Sequence, residues 1–167
     1  MLAIIEVASS GLGADSYPIA VAWRMLRGGP EQHLLIRPAD SWRGWQRDAE
    51  KIHKLTRQQL VEQGRPVDEV TAALSRDLGQ AKIFSDTVGL DQAWLDLLFA
   101  AVPGSRSLSL RRYSELFPGV APRDLEQAVE AAQIEPTPHA LIADLRRRVM
   151  VAERYLTEMS RATPRRR

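Results

Sequence analysis

The sequence predicts a mixed α/β fold, a single sheet with an antiparallel hairpin at one edge and helices on its faces. Three observations predict it. Short apolar runs without helical spacing crowd the first 37 residues, helical spacing takes over after them, and one further short apolar run at 81–85 lies between two helical patterns. At 167 residues the chain has room for one domain, drawn over residues 1–160, with a basic tail at 161–167.

The elements follow in order. Residues 2–8 (LAIIEVA) form a strand with one interior acid, Glu6. Residues 18–26 and 31–37 are two more strands, and the turn Arg27-Gly28-Gly29-Pro30 between them makes the pair an antiparallel hairpin. Helices are expected over 56–63 and 67–78, the second with apolar residues at 67, 70, 74 and 78. Thr56 and Asp68 read as their caps or first-turn residues. A strand at 81–85 (AKIFS) precedes a helix at 91–101 that Asp91 opens. Residues 102–107, rich in Pro, Gly and Ser, form a loop, and 108–117 a short helix or strand. A helix at 123–132 follows, with Pro122 at its start. Pro136 and Pro138 bracket the entry to a long helix at 139–160, expected to pack across the sheet or against a partner subunit. The tail RATPRRR has no apolar pattern and is expected to be disordered. Trp23 and Trp94 belong to core patterns, whereas Trp42 and Trp45 lie in a loop, to pack beneath it or to stack on bases.

Composition narrows the chemistry. With 44% hydrophobic and 26% charged residues, the chain has the make-up of a soluble globular domain. It contains no cysteine, which excludes disulfides, thiol catalysis and zinc sites with Cys ligands. Three histidines, His33, His53 and His139, are too few for a His-rich metal site. No apolar run approaches the roughly 18–20 residues of a membrane span, so no membrane partner and a cytoplasmic location are expected. The charge is uneven. Residues 145–167 carry a net +6 and the preceding 144 residues a net −4. The basic end is either a solvated arm or a phosphate-holding one.

Several acids sit beside apolar runs. Glu6 lies inside a strand, where a carboxylate is costly unless it is paired or holds a cation. Asp91 follows the fourth strand, and Asp144 lies in the last helix with His139 at its entry. Taken singly, Asp91 reads as a cap, Asp144 as an arginine partner and His139 as a surface residue.

Taken in order, the segments IEVASSGLGADSYPIAVAW, IHKLT, FSDTVGLDQAWL and HALIAD resemble the DnaQ-like DEDDh family of 3′–5′ exonucleases, which have an RNase H-like fold. With Gly11 and Leu12 set on the Gly-Leu of that family's first motif, Glu6 falls at its aspartate and Ala8 at its glutamate. Asp91 matches the second motif, and His139 with Asp144 matches the third, His-x-x-x-x-Asp. His53 and Thr56 match a His-Gly-Ile-Thr-like turn, with Lys54 where glycine is usual. The resemblance runs from residue 2 to about 156.

The resemblance implies a phosphodiesterase that uses Mg²⁺ or Mn²⁺ on the 3′ ends of single-stranded RNA or DNA. It implies Glu6, Asp91 and Asp144 as metal ligands and His139 as general base. Ser9, Ser10, Gly11, Leu12 and His53 would meet the terminal nucleotide, and a homodimer is a further expectation. The first motif departs from the pattern: glutamate stands for aspartate at position 6 and alanine for glutamate at position 8. Either the longer Glu6 reaches into the space beside Ala8 and chemistry survives, or the fold persists as a binder of nucleic acid or of a protein.

Overall fold

A computed structural model describes residues 1–162. Its sheet has five strands, β1 (Leu2–Ser9), β2 (Pro18–Met25), β3 (Glu31–Leu35), β4 (Lys82–Ser85) and β5 (Leu110–Arg112), in the order β3-β2-β1-β4-β5. The first three pair antiparallel, whereas β1–β4 and β4–β5 are parallel. The mixed α/β, RNase H-like class is therefore the observed one.

β1 is central and covered on both faces, so Ala3, Ile4 and Ile5 are all buried in an unbroken run. Ile5 faces Trp23 in the register, with Leu74, Leu78, Leu95 and Phe99 in the same core. Ile4 points to the opposite face, where Ala22, Phe84, Tyr113, Leu145, Val149 and Ala152 make a second core. Glu6 shares the parity of Ile4 and so points to this second face.

The β2–β3 hairpin turns as expected, with Arg27 (φ 67°) and Gly28 (φ 87°) in the left-handed region. Oε1 of Glu153 accepts the N–H groups of Arg27 at 2.8 Å and Gly28 at 3.2 Å, which pins the turn to the last helix.

Between β3 and β4 run α1 (Arg47–His53), α2 (Arg57–Gln63) and α3 (Val67–Leu78). Thr56 caps α2 as expected: its hydroxyl accepts the Gln59 N–H at 3.2 Å, and Gln59 Oε1 accepts the Thr56 N–H at 2.8 Å. Asp68 is a first-turn residue of α3 and Pro66 its cap. α1 has no counterpart among the elements expected from sequence. Its seven residues bury none of their side chains, so it leaves no apolar period to read.

Helix α4 (Val88–Ala100) begins three residues before the expected start, so Asp91 lies in its first turn and does not open it. The ambiguous segment 108–117 resolves into β5 and a 3₁₀ turn at Tyr113–Leu116. α5 (Pro122–Ala131) has Pro122 at its first position. α6 (Ala140–Ala162) packs across β1 and β2, the first of its two expected placements. It extends two residues past the drawn domain limit, and the rest of the expected disordered tail, 163–167, lies outside the described residues. Trp23 is core, while Trp94 is only half-buried on α4. Trp42 stacks on Tyr17 at 5.4 Å and Trp45 donates to Glu50 at 2.7 Å, so both pack beneath their loop.

Candidate nucleic-acid site

The bend after β1 begins where the register with β2 shifts between Ala8 and Ser9. Ser10 is wholly buried: its N–H donates to the Tyr17 carbonyl at 2.8 Å and its hydroxyl accepts the Tyr17 N–H at 3.1 Å. Ser10 thus holds the loop and does not face the cavity beside it, contrary to its expected contact with a nucleotide. Ser9 donates to the Gly11 carbonyl at 2.7 Å. A Cβ on Gly11 would come within 2.3 Å of Gln46 Oε1, the same oxygen that accepts the Leu12 N–H at 3.0 Å. Glycine lets Gln46 lie against the loop and present Leu12, which is 74% exposed.

These residues edge a cavity of about 390 Å³. Ser9, Gly11 and Leu12 line it together with His53, His139 and Asp144, six residues drawn from the sequence expectation. Its remaining lining is largely apolar, with Ala8 on its wall where the resemblance would place an acid. His33, which the sequence reading left without a role, stands beside His139 with ring centroids 5.2 Å apart. The His53 ring meets Trp45 edge-on; its Nδ1 accepts the Leu55 N–H at 3.1 Å, and burial holds its pKa below the ordinary value.

The carboxylates are arranged differently. Glu6 is 8% exposed, does not line the cavity, and has Arg148 Nη1 at 3.1 Å from Oε1. The approach is one of charge, because Oε1 has no hydrogen-bond partner. Burial pushes the Glu6 carboxyl up to about 8 against the pull of Arg148, with Asp91, Asp144 and Asp86 adding to the rise. Asp91 is buried and accepts hydrogen bonds at Oδ2 from the Ser85 hydroxyl and, at 3.2 Å, from Thr87. Burial pushes it up to about 6 in spite of those bonds. Asp144 is half exposed, 3.4 Å from Arg147. Arg148 also reaches Asp86 Oδ2 at 2.7 Å.

Glu6, Asp91 and Asp144 are therefore in electrostatic reach of one another but not gathered. Among the described residues no group of three His, Asp or Glu side chains is placed to hold a metal ion. Each acid is already engaged by a protein group, and the expected Mg²⁺ or Mn²⁺ ligand set is not assembled. The longer Glu6 does not reach into the space beside Ala8; it turns to Arg148. No local sequence signal gives this partner: Arg148 shares a helix face with Asp144, four residues before it, but Glu6 lies 142 positions away.

No family model matches this chain, and no curated protein sequence matches it. Among solved structures it resembles exonuclease I from Methylocaldum szegediense, with a TM-score of 0.70 at 17% identity over 91% of this chain and 39% of that one. It resembles E. coli exonuclease I in complex with a dT13 oligonucleotide at a TM-score of 0.69 and 17% identity, over 96% of this chain and 42% of that one. A zinc-bound form of the E. coli enzyme with single-stranded DNA gives 0.67 at 17% identity, over 96% and 41%. The chain spans about two fifths of the length of these structures. At this identity the likeness establishes a fold shared with exonuclease I.

Proposed function

We propose that this chain is a nucleic-acid-binding module of exonuclease fold, which receives the 3′ end of a single strand in the cavity beside β1 and α6. The observation that carries the reading is the convergence of Ser9, Gly11, Leu12, His53, His139 and Asp144 on one cavity. Its apolar wall suits the face of a base, and the exposed Leu12 is placed to pack on it. Single-stranded DNA as the ligand class is supported by the exonuclease I complexes of the same fold.

Hydrolysis by the two-metal route is not part of the proposal. That route needs carboxylates free to hold two ions about 3.5–4 Å apart. Here Arg148, Ser85 with Thr87, and Arg147 already engage the three candidate acids. His139 then serves as a cavity wall beside His33.

Fluorescence anisotropy with a linear labelled oligonucleotide, DNA or RNA, against a circular strand of the same length tests the reading. The linear strand is expected to bind about tenfold more tightly. Equal affinity for the circle overturns the end-specific reading, and failure to bind either overturns the nucleic-acid reading altogether.

A further inference from the structure

We infer that Arg148 is the resident cation of this site: it supplies, from the chain itself, the positive charge that the acids would otherwise draw from a divalent ion. The inference deepens the proposed function, since it specifies a binding site that works without metal. It rests on three features of geometry.

First, the guanidinium lies between two acids from different elements, 3.1 Å from Glu6 on β1 and 2.7 Å from Asp86 just after β4. Its side chain is only 15% exposed. Second, the backbone that carries the arginine is anchored, because the Arg148 carbonyl accepts the buried Tyr113 hydroxyl at 2.7 Å. Third, its two neighbours are committed elsewhere. Arg146 pairs with Glu31 at 2.9 Å and Arg147 with Asp144 at 3.4 Å, so Arg148 alone of the three points at Glu6 and Asp86.

A guanidinium is permanently charged and planar, and it accepts no proton or metal. A divalent ion drawn to Glu6 and Asp86 would meet this charge at hydrogen-bond distance and be repelled. Removal of the arginine leaves Glu6 and Asp86 with no guanidinium between them, and with Asp91 and Asp144 close enough to add their fields. That is the electrostatic condition for binding a hard cation.

The wild-type chain, melted in Mn²⁺ and in EDTA, is expected to give the same midpoint. A ligand that binds the folded state must raise it, so a rise of several degrees in Mn²⁺ overturns the inference. This measurement does not depend on any variant folding. In a Mn²⁺ titration followed by calorimetry, Arg148→Ala is expected to gain a saturable site at least about tenfold tighter than wild type. Asp86→Asn in the same background is expected to remove it. An Arg148→Ala chain that folds and gains no affinity also overturns the inference. Anisotropy with single-stranded DNA in EDTA, on the same wild-type sample, separates the two claims. Lost binding there counts against the proposed function, whereas Mn²⁺ stabilisation with binding intact counts against the role of Arg148 alone.

Discussion

Arg148 stands one helical turn beyond Asp144 and brings Nη1 to 3.1 Å from Oε1 of Glu6. A helix residue thereby reaches the acid in the central strand across the face that α6 covers. Glutamate at position 6 is long enough to make this contact while remaining 8% exposed. Alanine at position 8 leaves the adjacent cavity apolar, so acid and cavity are separate features of the site.

The buried acids set a pH dependence. Glu6 is pushed up to about 8 and Asp91 to about 6, so in the fold both keep a proton that the unfolded chain has already lost. Stability therefore falls as pH rises, through about 6 for Asp91 and about 8 for Glu6. His33 and His53, held below their ordinary 6.5 by burial, act in the opposite sense, but only below that value. The window from pH 6.5 to about 8.5 thus reports chiefly on Glu6. Each pH unit there changes stability by up to about 1.4 kcal/mol, or roughly 2–4 °C per kcal/mol in a chain of this size. Thermal melts should show the midpoint falling by several degrees across the window in wild type and holding nearly level in Glu6→Gln. A wild-type midpoint that stays level contradicts the burial of Glu6.

Leu12 offers a binding variant with little effect on the fold. It is 74% exposed and contributes nothing to either core, so Leu12→Ala should melt within about a degree of wild type. Loss of a base-packing side chain should weaken single-strand affinity by about tenfold, the scale of burying one aliphatic side chain. Gly11→Ala should weaken it as well, by displacing Gln46 from the Leu12 N–H. Unchanged affinity in both variants would move the strand away from this loop.

Lys54 ends α1 at φ 59°, in the left-handed region. The conformation costs a side-chain-bearing residue about 1–2 kcal/mol, whereas glycine adopts it freely. Against this stands the greater freedom of glycine in the unfolded chain, about 0.4–1 kcal/mol. Lys54→Gly should therefore stabilise the protein by about 0.5 kcal/mol, read as a small rise in melting midpoint. A lower midpoint would show that the lysine side chain makes up for its strain.

Much of this fold was legible in the sequence because its determinants are local. Thr56 with Gln59, Pro122, the Arg27–Gly28 turn and the spacing of Val70, Leu74 and Leu78 each act within a few residues. α1 was missed because it buries no side chain and so carries no periodic mark. In the site, the cavity residues were legible as motifs. The engagement of the acids was not, since the Arg148 partners Glu6 and Asp86 lie 142 and 62 positions away along the chain. Ser10 was misread for a related reason: its partner Tyr17 lies across the loop, and the motif places Ser10 beside residues that do face the cavity.

The most direct test is a trimming assay on 5′-labelled single-stranded DNA and RNA with Mn²⁺ and with Mg²⁺, run beside Asp144→Ala and with anisotropy on the same samples. The account predicts binding that is the same in EDTA as in either metal, and no ladder of shortened products from the 3′ end. A metal-dependent ladder that vanishes in Asp144→Ala would contradict it, and would mean that Glu6, Asp91 and Asp144 leave their present partners to assemble a working metal centre.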